Sequence, residues 1–472
     1  MGKIIKVNPF LYAVYLLMII YTFCILMMYD SLSLRFHASI ALFAVLSYLV
    51  SYKISNKKVI TPLTLIIISF CLFQSGQTLL FALGYEDIFL LKWALLEEII
   101  IAQIFFNYSL ILLLIGTTFK TAYNINTVEK QDIHLNRQIS YLKKIGIISL
   151  IITLFPKLLI DIYLARFSLS GGYSEIRNYT TFVMSTNGFL YIAYWIAGFF
   201  NFALYVCLVA FYKDKRTRNR LLILMLIISV LELISGARYE AVTRLSVYLF
   251  LILDFQQSKK SSIKSAVVVG LGGILILILN IVKVFRQLDE KNITQFISMI
   301  SQRSGFIDGI VELIIEMGGS MYPFILINRF VPSTRFFGGG TSYLFSIFSV
   351  IPQKLLLGFD YSKYTNLQEW LTFEVLNQNS GVGFSMCAEA YYNFGWLGLP
   401  LFFFLGLLIT NVFDSNKLKN KSLSFKLFSV FLFDALLFYP RGQIVTFMRP
   451  IILMIGVIIL INRGNIKYIK NR

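Results

Sequence analysis

The chain has 472 residues, 57% of them hydrophobic and only 14% charged, with a formal net charge of +19. A soluble domain carries about 25% charged residues, and the deficit here runs the whole length, which excludes a soluble body on a single anchor. The basic residues fall in short clusters between apolar runs, the pattern of cytoplasmic loops and not of a nucleic-acid-binding face.

A spanning helix needs about 20 mostly apolar residues. The first such run follows Lys3 and Lys6 and reaches from Pro9 to about Met28. It is longer than a signal-peptide core and has no small-residue cleavage site, so it reads as a retained first helix. In chain order the apolar runs predict an all-α polytopic protein with about twelve spans, at 9–29, 37–52, 61–84, 96–119, 145–165, 186–212, 220–235, 239–255, 265–285, 386–411, 424–439 and 444–462. The runs at 37–52, 220–235, 239–255 and 424–439 are short for a bilayer and need tilting or extension. The whole chain, 1–472, reads as one integral membrane domain.

Orientation follows from the basic loops. With both termini in the cytoplasm, 26 of the 43 basic residues fall inside, and 20 of those 26 are lysine. Of the remaining 17, eleven are arginine: Arg35, Arg166, Arg177, Arg238, Arg244, Arg286, Arg303, Arg329, Arg335, Arg441 and Arg449. Topology needs positive charge and does not distinguish the two residues. Arginine offers a planar, permanently charged fork that fits phosphate, or a stem that snorkels to headgroups. Both readings stay open for the set.

One long external connection is predicted between spans nine and ten, 286–385. It opens with an amphipathic stretch, 292–317, in which Ile293, Phe296, Ile297 and Ile300 recur at helical spacing. Gly338-Gly339-Gly340, Pro352 and the polar run Gln378-Asn379-Ser380-Gly381 follow. A loop of this length is usually functional. A second external loop, 166–185, contains Gly171-Gly172-Tyr173.

Several chemistries are missing. The two histidines, His37 and His134, fall on opposite sides, and Cys24, Cys71, Cys207 and Cys387 all lie in or beside apolar runs, so neither a metal cluster nor a Ser-His-Asp or Cys-His pair is indicated. No GxxxxGK loop occurs. The expected site uses no metal and no cofactor.

What remains is arginine at external helix ends. Ser235-Gly236-Ala237-Arg238-Tyr239-Glu240 forms a tight turn between two spans, Arg286 follows the ninth span, and Arg441 follows the eleventh in Tyr439-Pro440-Arg441-Gly442, with Arg449 two turns further on. Each is an interfacial anchor or part of an anion site. Glu374 and Glu389 are the carboxylates near them, and Glu389 opens the tenth span, where it complements a helix dipole, pairs with an arginine or handles a proton. Tyr391, Tyr392 and Trp396 form an aromatic belt or a platform for sugar rings.

In order and layout these motifs resemble the Wzy family of oligosaccharide repeat-unit polymerases, which build O-antigen, capsule and related glycans. The likeness rests on the 235–238 turn, Arg286, the long external loop and the run Glu389-Ala390-Tyr391-Tyr392-Asn393-Phe394-Gly395-Trp396-Leu397-Gly398. Phe373–Gly381 and Tyr439–Gly442 are similar to elements of polymerases of the enterobacterial-common-antigen type. The resemblance implies an undecaprenyl-pyrophosphate-linked oligosaccharide as substrate, at the outer face of the bacterial cytoplasmic membrane. The growing glycan is transferred to the next lipid-linked repeat. It implies Arg238, Arg286, Arg441 and Glu389 as catalytic residues and Arg449, Tyr239, Glu240, Glu374, Tyr392 and Tyr439 as substrate contacts. The lipid bilayer, a chain-length regulator and a flippase are the implied partners.

The competing classes are a lipid-linked oligosaccharide flippase or exporter, an O-antigen ligase-like transferase, a metal-dependent lipid-sugar glycosyltransferase and a non-catalytic scaffold. Transporters often contain related halves, and none is visible here. The ligases typically use a histidine in their large external loop, and 286–385 has none. The metal-dependent transferases usually carry acidic ligands in a long first external loop, which here is only about Asp30–Arg35.

Overall fold

A computed structural model of the protein describes residues 9–28, 32–54, 61–119, 132–171, 188–235, 238–255, 306–351, 353–378, 381–413 and 422–470. Among these every regular element is helical. The main helices are α1 (Pro9–Met28), α2 (Leu34–Ile54), α3 (Pro62–Ala82), α4 (Phe89–Trp93), α5 (Leu96–Thr118), α6 (Asp132–Gly171), α7 (Gly188–Ala197), α8 (Phe200–Ala210), α9 (Lys215–Ile234), α10 (Arg238–Phe255), α11 (Phe306–Gly318), α12 (Tyr322–Phe330), α13 (Thr341–Phe345), α14 (Met386–Phe394), α15 (Pro400–Phe413), α16 (Leu423–Phe438) and α17 (Ile444–Lys470). Among the described residues seven stretches are long and apolar enough to cross a membrane, or eight counting the bent pair Met386–Gly398 and Pro400–Phe413.

Three differences from the sequence expectation have physical reasons. The run expected at 386–411 as one span is bent by 113° between α14 and α15, at Gly395, whose φ of 58° most side chains avoid. Helices occupy 215–234 and 238–255, but neither is among the seven. Arg218, Arg220 and Glu232 in one, and Arg238, Glu240, Arg244 and Asp254 in the other, make them more polar than a plain span. Inside the stretch expected to be a loop, Ile307–Phe330 is itself long and apolar enough to cross. The span expected at 265–285 and the stretch 292–305 lie outside the described residues.

The described chain divides into two compact units. The first comprises Met1–Ile125, Val311–Leu418 and Ala435–Arg449. Its centre is α3, which opens with a capping box between Thr61 and Thr64 and Pro62 in the first turn. One face of α3 is polar and buried. Gln103 on α5 accepts hydrogen bonds from Ser75 (3.0 Å) and Thr78 (2.6 Å) and donates to Asn107 (2.9 Å). Asn107 donates to the Tyr21 hydroxyl (2.8 Å) and the His37 carbonyl (2.9 Å), and Tyr21 meets His37 Nδ1 at 2.8 Å. Because hydrocarbon offers no partners, such side chains must satisfy one another, and this chain fixes α1, α2, α3 and α5 in register.

Small residues set the second seam. A Cβ on Gly116 of α5 would collide with the Phe403 carbonyl, and one on Gly406 of α15 with the Leu113 carbonyl. The backbones therefore touch, and Thr410 donates to the Thr117 carbonyl at 3.0 Å. Phe402 lies against Phe105 at one end and Thr410 against Thr117 at the other, so α15 runs in the same sense as α5. The Ser69 hydroxyl bonds the Leu437 carbonyl, and Gln74 reaches the Pro440 carbonyl (2.5 Å), which runs the end of α16 parallel to α3. Arg329, closing α12, forms a two-pronged pair with Glu98 in the first turn of α5, at 2.7 and 2.6 Å.

The second unit comprises Asn126–Ile310, Lys419–Asp434 and Pro450–Arg472. The 40-residue α6 carries Pro156 inside it, and α8 is almost wholly buried. Tyr205 of α8 donates to Asp434 (3.0 Å), and Phe202 packs on Phe431. Asp214 caps α9 by accepting from the Thr217 hydroxyl and the amides of Arg216 and Thr217. The Thr217 hydroxyl bond foremost holds its carboxyl below the usual carboxylate range.

The α5–α15 seam gives a direct test. Gly406→Val should cost about 1–3 kcal/mol or more through overpacking, seen as a lower melting midpoint of detergent-solubilised protein. Gly456→Ala, where no atom outside the helix's own backbone lies within 4 Å of the added carbon, should leave the midpoint unchanged. Equal midpoints for both variants would contradict backbone contact at Gly406.

Candidate active site

In the first unit the chemistry gathers around Glu389. Ser385 caps α14 through the Ala388 amide (3.2 Å), which starts the helix and places Glu389 one turn in, fully buried. Its carboxylate accepts from the Ser342 hydroxyl (2.9 Å), the Tyr439 hydroxyl (3.1 Å) and the Ile444 amide (2.8 Å). Among the described residues these partners are neutral, so the ion pair with an arginine that the sequence left open is not what holds it. Tyr439 and Ile444 lie on either side of Arg441. The carboxylate thus grips both ends of the short turn, Tyr439–Arg441 and onward, that presents this arginine. Pro440 is buried with its carbonyl on Gln74, and Gln443 is buried with its side chain on the Leu367 amide (3.1 Å). Arg441 itself is exposed.

The glycine run supports α14 from outside. The amides of Gly338 and Gly339 donate to the carbonyls of Tyr392 and Asn393, both at 2.9 Å, and the Gly340 amide donates to Asn393 Oδ1 at 3.0 Å. A Cβ at Gly338 would sit 2.5 Å from the Tyr392 ring, and Gly340 has φ of 89°, so glycine is required at both places. Asn393 donates back to Ser342 (2.7 Å), which closes the polar cluster. Arg449, half-buried, donates through Nε to the Ser349 carbonyl at 2.9 Å. Arg335 lies 4.8 Å over the Trp370 ring and 5.3 Å over the Tyr392 ring, a cation–π stack.

Among the sequence-predicted site residues, Glu389, Tyr439, Arg441 and Arg449 come together on α14 and the 439–449 segment. Tyr392 faces the adjoining Arg335–Trp370 stack. Glu374 is exposed, beyond that stack in sequence. Glu240 is half-buried in the first turn of α10, in the second unit. The side chains of Arg238 and Tyr239, and Arg286 altogether, lie outside the described residues. Among the described residues no group of three or more His, Cys, Asp or Glu side chains is placed to hold a metal ion.

The second unit holds a buried ionic network. Arg244 of α10 is completely buried. It donates to Glu232 through both terminal nitrogens (2.5 and 2.7 Å), to Asn201 through Nε and one terminal nitrogen (3.0 and 2.8 Å), and to Ser229 at 3.4 Å. Those five contacts occupy all five N–H groups of the guanidinium. Lys157 of α6 bridges Glu232 (2.6 Å) and Asp161 (2.8 Å). Arg244, grouped by sequence with the outer arginines, is thus a strut that ties α10 to α9 and α8, with no donor left for a ligand.

The family model for the O-antigen polysaccharide polymerase Wzy matches residues 10–468, nearly the whole chain. This chain belongs to that family. No curated protein and no solved structure matches it. The Wzy family's activity is the polymerisation of O-antigen repeat units, and a multi-helix apolar body in a membrane accords with it.

Sequence reading of this Wzy chain followed arginine and so missed Lys157, Asp161 and Glu232. The signal was there: three charged residues interrupt otherwise apolar runs, where each is expensive unless paired. Ser342 and Asn393 carried no such signal, since uncharged polar residues in a glycine-rich segment look like loop.

The network predicts a double-mutant cycle. Glu232→Leu or Arg244→Met alone leaves a buried charge uncompensated and should cost about 3–5 kcal/mol. The double variant removes one charge of each sign, leaves Lys157 paired with Asp161, and should recover much of that loss in a thermal melt. Strictly additive losses would mean that the two residues do not share a pair.

Proposed function

We propose that this Wzy polymerase elongates its glycan at the outer face of the cytoplasmic membrane, with twelve spans and both termini inside. The acceptor hydroxyl of the next lipid-linked repeat attacks the anomeric carbon of the growing chain. The bond from that carbon to undecaprenyl pyrophosphate breaks, and the hydroxyl proton passes to a carboxylate. The electron pair leaves with the pyrophosphate, where negative charge accumulates. Fixed guanidinium groups stabilise such charge without a metal, and more strongly in a site closed to water.

The observation that carries this reading is the grip of Glu389 on the Arg441 turn. An arginine that must meet pyrophosphate at headgroup depth gains from a backbone that does not move as charge develops. Arg441 has that support from Tyr439, Pro440, Gln443 and Ile444. Arg238 and Arg286, at other external helix ends in the sequence, are proposed as its partners on the pyrophosphate, with Arg449 near the same site and Tyr239 and Glu240 flanking Arg238. The burial of Glu389 behind three donors favours a positioning role. Glu374, exposed, is then the carboxylate open to an acceptor hydroxyl, and Tyr392 a surface for sugar rings. A chain-length regulator and a flippase are proposed as partners.

Two experiments separate these roles. Arg→Lys at 238, 286 and 441 keeps the charge and loses the fork. Each should lower the polymerisation rate on purified lipid-linked repeats by roughly 30- to 1,000-fold, the equivalent of about 2–4 kcal/mol. Full glycan ladders from correctly inserted Arg441→Lys would return that residue to the role of an interfacial anchor. Excess chelator should leave elongation unchanged, and activity that needed added magnesium or manganese would refute the metal-free mechanism.

A further inference from the structure

The segment after Arg335 has its polarity turned inside out. From Phe336 to Pro352 it contains no charged residue. Through α13 and the 3-10 helix Ser346–Val350, the serines face inward: Ser342, Ser346 and Ser349 are almost wholly buried. The large apolar side chains face outward. Leu344, Ile347 and Ile351 are 60%, 51% and 40% exposed. Leu357 is 100% exposed and has a left-handed backbone, φ 48°, which a leucine rarely adopts. Leucine and isoleucine facing out over serines facing in is unfavourable in water and expected in hydrocarbon.

Depth can be read from α5. Glu97 and Glu98 mark its polar end, and a helix rises 1.5 Å per residue. Phe105 therefore lies roughly 11 Å along the helix from that end. Tyr391 and Trp396 pack on Phe105, at 5.7 and 5.3 Å between ring centres. The Gly338 and Gly339 amides bond the carbonyls of Tyr392 and Asn393, in the same turn as Tyr391. The glycine run is thus held at a depth within the bilayer, and its backbone donors are satisfied there, as hydrocarbon demands. Its amides bond the end of α14, and α14 and α15 together are long and apolar enough to cross a membrane.

We propose that residues 336–351 form a re-entrant segment seated in the acyl chains of the leaflet at the N-terminal end of α5. The apolar face docks on bilayer lipid, not on water or on another protein. The inference is independent of the polymerase reading, since it rests on polarity and depth alone.

Site-directed spin labelling tests it in reconstituted liposomes. Cys24 is replaced by serine, and the other three native cysteines are buried. Nitroxides are attached at Ile347→Cys and, separately, Ile351→Cys, so that one poorly folding variant does not decide the outcome. Leu46→Cys on α2 serves as the lipid reference and Lys215→Cys as the aqueous one. The oxygen-to-nickel-chelate accessibility ratio at 347 and 351 should match Leu46 and exceed Lys215 several-fold. Ratios like that of Lys215 would place the segment in water and overturn the proposal. Low accessibility to both reagents would mean a protein partner covers the face, and would overturn it equally.

Discussion

Hydrocarbon gives a polar group nothing to bond with, and the two units meet that constraint in three ways. Side-chain amides and hydroxyls link end to end between α3 and α5. Ion pairs close on themselves around Arg244. Glycine amides borrow the carbonyls at the end of α14. The helices between them are largely interchangeable apolar surface, and it is these polar closures that give each helix one register against its neighbours.

The two best-described arginines show how the same side chain is assigned opposite work. Arg244 is surrounded by acceptors until no N–H remains, and charge and geometry are spent on joining three helices. Arg441 closes a short turn and is exposed, and Glu389 bonds the residues on either side of it. A carboxylate that binds the guanidinium makes a strut. A carboxylate that binds the flanking residues fixes the backbone from which the guanidinium projects. Glu232 and Glu389 are that pair of cases, and sequence position alone does not separate them.

Much of the helical plan was legible because apolar length is additive along the chain: α3 and α5 follow directly from the runs at 61–84 and 96–119. The bend between α14 and α15 was not, since Gly395 interrupts an apolar run without changing its hydropathy. Nor was the character of 336–351. A window average reads Gly338–Gly340 and three serines as loop, whereas burial reverses their roles. Glu389 was legible as a carboxylate at a helix start, but its partners come from 47 to 55 residues away in sequence, beyond any local pattern. Arginine enrichment drew equal attention to Arg441 and to Arg244, because composition counts side chains and not their acceptors.

The 113° bend leaves α14 as a short crosspiece with attachments at both ends. Glycine amides are fastened to its last carbonyls, and the Arg441 turn is fastened to its Glu389. Hydrogen bonds of 2.8–3.1 Å tolerate only a few tenths of an ångström before they weaken. A lateral push on the glycine run is therefore transmitted through the crosspiece to the arginine turn with little slack, as in a rigid linkage.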